Sequence, residues 1–485
     1  MKAFTALAME AAVGEGASYA DIRILRHTTE QITVTDGKIE VLDTGVDFGF
    51  GIRALIDGAW GFASSPDLNR DEVSRVAKFA AEVGRAAAGT KYSDVKLAPE
   101  PVHRDVTYET PCRVDPAEVP LKEKVDLLLE VSGVLMQPKL ARTAQVSWGY
   151  ERWHQVFANS EGSYITQTLT NAGSGYEVTA GENGVTATEQ LRRLGWRGQG
   201  FAQGYEATDD LLEKARESAR KVVEAVKQKA SEEKEPLIDC PAGHYDMIAV
   251  FPFHEPFGHP LQTDRAIGDE MSFIGGSWFT FDQIGYYRAA ADCVTVVADS
   301  VTPGLIGTYG YDDEGVQGQR VVLVENGILK NLITNREFAY KLGMPRSTGN
   351  MKAMGWARIP LVRMNNIYIE PGPWEYENLI ADTERGIIMG GGVFQQTKNR
   401  EKFLWKANTA WEIRNGKRYR RLRNVVWRGG PGDMLRACDA LCKGDWTEGG
   451  HTVRCGGGAP HQNMLAYHWI PQGRYQGLHF SSEYF

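Results

Sequence analysis

The sequence predicts an α+β fold, with a mixed α/β N-terminal domain over residues 1–235 and a mostly antiparallel β C-terminal domain over residues 236–485. Three observations lead there. Helical and strand-like hydrophobic periods alternate through the first half. Short runs of β-branched and aromatic residues separated by Gly and Asn turns dominate the second half. Between them, Ser231 to Pro236 reads SEEKEP, a charge-dense and turn-prone stretch that suits a solvated boundary near residue 235.

The elements follow in chain order. Ala3, Leu7, Ala11 and Ala12 recur at helical spacing, and Gly14-Glu15-Gly16 ends that helix. Tyr19 to Ile24 and Gln31 to Val41 alternate as two strands. Gly45 to Ser65 reads as a hairpin around Asp57-Gly58, because that dipeptide accepts the positive φ angles of a tight hairpin turn. Asp67 to Ala88 is an amphipathic helix opened by Pro66-Asp67 and closed by Gly89. Ala117 to Gln137 is a third helix with Leu121, Val125, Leu128 and Val131 on one face, Ala141 to Tyr205 is a set of strands, and Asp209 to Lys234 is a long helix. Strands are predicted at Val294–Val301, Gln319–Val324, Gly327–Thr334, Asn366–Glu370, Gly386–Met389, Phe403–Arg414 and Arg418–Trp427.

Composition bounds the function. With 42% hydrophobic and 24% charged residues over 485 positions, the chain is a folded one with a large core. A net charge of −8, from 54 Lys+Arg against 62 Asp+Glu, leaves no global cationic field, so nucleic acid is not an expected partner. The basic run Arg418 to Arg423 alternates as one exposed strand face. The N-terminus reads as a mature amphipathic helix, since Glu10 and Glu15 interrupt any signal-peptide core, and no stretch approaches the ~20 apolar residues of a membrane helix. Six cysteines are too sparse for a disulfide scaffold, which points to a reducing cytoplasm, with three of them late in the chain open to metal chemistry.

The sharpest local signal is FPFHEPFGHPLQTDR, in which His254 and Glu255 are adjacent and His259 follows. It is one residue longer than the HExxH of zinc peptidases. On a regular helix an i, i+4 pair sits about 40° apart and an i, i+5 pair about 140° apart, so a wide π-type turn is needed to bring both imidazoles to one ion. Gly258 and Pro256 ease that distortion. Two such histidines call for a third protein ligand and an open position on Zn²⁺, with Glu255 as general base toward water. Cys455, followed by three glycines that let the backbone approach closely, is the first choice of third ligand; Cys442 is second and Cys438 third. His461 and His468 are further candidates that read more readily as structural histidines, and Asp312-Asp313-Glu314 is either part of the site or, the favoured reading, a turn between strands.

At these residues the sequence resembles the TldD/PmbA family of zinc metalloproteases, in its TldD-type subunit. The similar segments run in family order through nearly the whole chain: Tyr19 to Arg23 with Gly49 to Ser64, HEPFGHPLQTDR, Val301 to Val316, Arg346 to Asn350, and Arg363 to Gly372. The resemblance implies zinc held by His254, His259 and Cys455 and catalysis by Glu255; Asp264 and Arg265, just after the motif, are candidates for substrate positioning or support of the ligands. It also implies a dimer, either a homodimer or a heterodimer with a PmbA-type subunit, that encloses the site and admits unfolded or extended peptides. Two departures stand out: Gln262 replaces a family Glu, and Cys455-Gly456-Gly457-Gly458 replaces Cys-Gly-Lys-Gly. Alternative readings are a non-catalytic partner subunit of such a dimer, or metal-dependent tailoring of a modified peptide or small amide. The pair Cys438 and Cys442 has no counterpart in the pattern.

Overall fold

The computed structural model describes residues 1–191, 201–232, 237–250, 281–396, 402–446, 450–457 and 461–482. Its first half is built on one twisted sheet with eight strands: β1 Tyr19–Thr35, β2 Lys38–Ile56, β3 Ala59–Ser65, β4 Val106–Glu109, β5 Ala141–Asn159, β6 Tyr164–Glu182, β7 Val185–Leu191 and β8 Phe201–Ala202. The central order is β8-β6-β5-β1-β2-β3, and Gly304–Leu305 from the second half adds to the β8 edge. The α+β class expected from sequence is what this architecture shows.

The strands of the hairpins form where the sequence supplies their turns. Asp57 and Gly58 sit at φ 48° and 74°, joining β2 to β3, and Asp36 with Gly37 at 49° and 75° joins β1 to β2. The two strands expected at 19–24 and 31–41 are therefore one continuous β1 and the start of β2. The polar stretch between them stays extended because β2 and β5 pair with it on both sides.

Four helices cover one face of this sheet. They are α1 Lys2–Gly14, α2 Arg70–Ala88, α3 Leu121–Leu135 and α4 Leu211–Glu232. In α2, Val73, Val76, Ala77, Ala80 and Ala81 fall on one stripe and are fully buried against Ile22, Ile24, Phe50 and Ile52. This helix starts later than the Pro66-Asp67 signal indicated: Asn69 is the cap, its side-chain oxygen accepting the Glu72 N–H at 3.0 Å. Helices α3 and α4 pack around Ile32, Val34, Val146, Trp148 and Val178. Ile22, Ile24, Ile32 and Val34, all even-numbered residues of β1, belong to this helix-covered face.

The opposite face carries the odd-numbered residues, and the second half docks on it. Gly49 and Gly51 leave that face bare for Trp356: a Cβ on Gly49 would come within 2.4 Å of its ring, and one on Gly51 within 2.5 Å of its carbonyl oxygen. Trp356 Nε1 then donates to Asp47 at 2.9 Å. The alternation of glycine and phenylalanine in Phe48 to Gly51 thus encodes an apolar side under α1 and α2 and a receiving side for the second half.

Among the described residues that half is built mainly on two sheets enclosing one core, mostly antiparallel as expected, with a further two-stranded pair of Met351–Lys352 and Leu361–Val362. In one, Gly243–Val250 lies between Gly473–Ser481 and Arg385–Gly390, pairing parallel with the latter. In the other, Val296–Asp299, Arg320–Glu325, Asn366–Ile369, Gln462–Trp469 and His451–Gly457 form most of a six-stranded sheet. Met247, Ile387, Met389, Val296, Ile367 and Tyr475 meet in the core between them. The runs expected at 403–414 and 418–427 each prove to be two strands. Three short helices, Arg336–Lys341, Tyr376–Ala381 and Pro431–Arg436, were not foreseen.

Candidate functional site

The segment Tyr309 to Val316 turns on the odd face of the first sheet. Gly315, at φ 76°, closes the turn, and a side chain there would also strike the Phe157 ring at 2.4 Å. Asp312 accepts the backbone N–H groups of Glu314 and Val316 at 2.9 Å each and of Met351 at 3.0 Å. The acidic run is a turn, as its sequence suggested, but its carboxylates do more than shape it. Asp313 accepts from Gln155 at 2.9 Å and from the Ala353 N–H at 2.6 Å, with the buried Arg23 guanidinium 3.5 Å away. Glu314 binds Arg53 at 3.2 Å, and Arg53 binds Asp21 at 2.5 Å; all three side chains are buried. The second oxygen of Glu314 takes the Arg336 N–H at 2.9 Å. A charged network thus runs from β1 and β2 into the second half. The charges in Tyr-Ala-Asp-Ile-Arg, on the side opposite Ile22, were its trace in the sequence.

Beside this network lies a cavity of about 300 Å³, with walls from β1, β5, β6 and the second half. On one wall the His27 ring stacks on Trp153 with centroids 3.7 Å apart, and its Nε2 is 3.5 Å from Glu151. Arg454 reaches Glu151 from the second half at 3.0 Å. Burial works against the Glu151 charge, but the bond to His27 and the Arg454 cation outweigh it and hold the carboxyl below its usual range. On the other wall the Lys352 ammonium sits over the Tyr309 ring, 4.6 Å from its centre. Burial pulls Lys352 down to about 8. Cations, carboxylates and aromatic faces converge on a space at the small end of ligand pockets, suited to a polar group with a short apolar stem. None of His27, Glu151 and Lys352 was singled out from sequence, since they come from strands far apart in the chain.

Of the residues expected to hold metal, Cys455 lies among the described residues. It is in the strand His451–Gly457, opposite Met464, and is 3% exposed. Its neighbour Arg454 lines the cavity, while Cys455 joins the core cluster between the sheets of the second half. There Arg363, itself buried, donates from Nη2 to the Cys455 sulfur at 3.1 Å and to its carbonyl at 3.2 Å. Cysteine binds metals as the thiolate, and a cation is the neighbour a thiolate keeps. The setting of Cys455 therefore fits a metal ligand. The glycine that follows has a use as well: a Cβ on Gly456 would come within 2.4 Å of the His461 imidazole.

The competing cysteines have other surroundings. Cys442 is buried with Ile248, Leu379 and Ile388, and burial pushes its thiol up to about 11. Cys438 faces Cys293, with the sulfurs 3.8 Å apart. His468 is buried in the strand Gln462–Trp469 and His461 is exposed. His254, Glu255, His259, Gln262, Asp264 and Arg265 lie outside the described residues. Among the described residues no group of three His, Cys, Asp or Glu side chains is placed to hold a metal ion.

Family models match three stretches of the chain: PmbA/TldA metallopeptidase domain 1 at residues 20–84, the central domain at 114–228 and the C-terminal domain at 247–460. A metalloprotease of Methanocaldococcus jannaschii is 30% identical over 438 residues, which cover 88% of this chain and 90% of that protein. The chain belongs to the PmbA/TldD metallopeptidase family. Within the family, a zinc metalloprotease TldD homolog of Saccharolobus solfataricus is 23% identical over 92% of this chain and 95% of its own length. The fold of this PmbA/TldD member is similar to that of TldE from Thermococcus kodakarensis, with a TM-score of 0.68, 18% identity and 98% of each chain covered. No helix among the described residues is long and apolar enough to cross a membrane.

Proposed function

We propose that this PmbA/TldD member is a zinc-dependent peptidase that hydrolyses unfolded or extended peptides, with His254, His259 and Cys455 as metal ligands. The observation that carries the reading is the buried contact between the Arg363 guanidinium and the Cys455 sulfur, in a chain that also holds His254-Glu255 and His259 in sequence. Zinc, when bound, supplies a Lewis acid that polarises the scissile carbonyl. Glu255 takes the proton of the attacking water and passes it to the leaving amine. Asp264 and Arg265 position the substrate or the ligands. Arg363 keeps the Cys455 sulfur oriented, in the way that outer partners orient ligands elsewhere.

In this reading the protein works in the cytoplasm as a homodimer or beside a PmbA-type subunit, with the dimer enclosing the site. A peptide that enters extended offers mainly its backbone, so selection by side chain is weak. The chain is organised as an N-terminal unit to residue 235 and a C-terminal unit from 236. Zinc content and hydrolysis of an unfolded protein substrate, measured on purified protein and on Cys455→Ala, test the proposal. Loss of both metal and activity supports it. Full zinc content in Cys455→Ala would reject the ligand set.

A further inference from the structure

The pair of sulfurs at Cys293 and Cys438 has no part in that chemistry. Cys293 is exposed and Cys438 is buried, and they are 145 positions apart in the chain. The sulfurs approach to 3.8 Å, and Cys293 Sγ also lies 3.6 Å from the Cys438 carbonyl oxygen. The two segments are held in place by more than this contact: the Ala291 N–H donates to the Leu435 carbonyl at 3.0 Å, just ahead of both cysteines. Cys293 precedes the strand Val296–Asp299 of the six-stranded sheet, whereas Cys438 opens the strand Cys438–Leu441, which pairs with Gly473–Ser481 of the other sheet. A bond between the sulfurs would therefore join the two sheets of the second half across the edge of their common core.

We propose that Cys293 and Cys438 are a thiol–disulfide exchange site whose co-reactant is a low-molecular-weight disulfide such as oxidised glutathione. Cys293 is the attacking residue because its sulfur is open to solvent, and Cys438 resolves because its sulfur is within reach and shielded. In the first step the Cys293 thiolate forms a bond to one sulfur of the small disulfide and expels the other half as a thiolate, which takes up a proton. In the second, the Cys438 thiol gives up its proton and its sulfur attacks Cys293, releasing the second small thiol. Two protein thiols are oxidised, one small disulfide is reduced to two thiols, and no other oxidant is needed. Electrostatics agree with these roles: the contact with Cys438 favours the Cys293 thiolate, while the same contact and burial hold Cys438 protonated. In a reducing cytoplasm such a bond is transient and is reversed by small thiols.

The test uses the full-length protein, titrated with oxidised glutathione and then unfolded for thiol counting and peptide mapping. Two of the six thiols should disappear, a Cys293–Cys438 cross-linked peptide should appear, and dithiothreitol should restore both thiols. Oxidation should raise Tm by a few degrees, at least ~3 °C, because the crosslink closes a long loop. Cys438→Ser should stop at the mixed disulfide of Cys293 with glutathione, and Cys293→Ser should keep its five remaining thiols and show no Tm shift. If Cys438→Ser fails to fold, the exposed-site variant Cys293→Ser still decides the matter. Six thiols remaining in the oxidised wild type, a crosslink between other cysteines, or an equal Tm shift in Cys293→Ser would overturn the proposal.

Discussion

Arg363 and Cys455, 92 positions apart, meet as guanidinium and sulfur at 3.1 Å with both side chains buried. Such a contact ties a prospective ligand to the strand pair Met351–Lys352 and Leu361–Val362, since the Arg363 N–H also donates to the Asn350 carbonyl at 2.8 Å. Removal of Arg363 should loosen the sulfur without deleting it. Arg363→Met is expected to lower zinc affinity by about 10- to 100-fold, as partners behind a ligand do elsewhere. Equilibrium dialysis against a zinc indicator measures it, and unchanged affinity would show that Arg363 only fills space.

Glu255 is proposed as the proton carrier and not as a ligand. Glu255→Gln should therefore retain zinc while hydrolysis of an unfolded substrate falls by about 10²- to 10⁴-fold. Metal analysis and single-turnover assays on the same sample separate the two effects. An active variant would remove Glu255 from the chemistry.

The network from Asp21 through Arg53 to Glu314 is buried throughout, and the removal of one member strands charge in the interior. Glu314→Ala should cost about 3–5 kcal/mol, because Arg53 loses one partner and the Arg336 N–H loses its acceptor. Urea unfolding would read this as a lower midpoint. A loss below ~1 kcal/mol would mean that water reaches these groups.

Lys352, lowered to about 8 in the folded protein against roughly 10.4 in the unfolded chain, sets a pH dependence. Between those values the unfolded state binds more protons, so stability should rise with pH from about 8 to 10.4. Below the lower value the full cost is present, about 3 kcal/mol. Lys352→Met should remove this rise; an unchanged slope in Tm against pH would contradict the placement of the ammonium.

Much of the fold was legible because its signals are local. Asp57-Gly58 marks its own hairpin, and the stripe of Val73 to Ala81 marks its own helix. What escaped depends on partners distant in sequence. The helix Arg336–Lys341 has only six residues, too few for a period, and is fixed by Asn335 accepting the Phe338 N–H at 2.7 Å. The unity of β1 was hidden because backbone pairing on both edges sustains the polar residues Arg26 to Gln31. At the site, the chemistry of Cys455 was visible as a thiol among glycines, whereas Arg363 lay inside a segment noted only for its likeness to a family. Sequence also grouped Cys438 with Cys442 by proximity, but the fold pairs Cys438 with Cys293.

The bare strip at Gly49 and Gly51, with Asp21, Arg23 and Arg53 beside it, bears on the order in which the chain matures. A nascent polypeptide that has emerged only as far as α4 has its helices seated, yet its other surface offers naked backbone and unmatched charges to the solvent. That intermediate waits on Glu314 and Trp356, which the ribosome delivers 82 and 124 codons after Glu232 at the end of α4. Synthesis of the first half alone is thus expected to give a sticky, chaperone-dependent fragment and not a free-standing module.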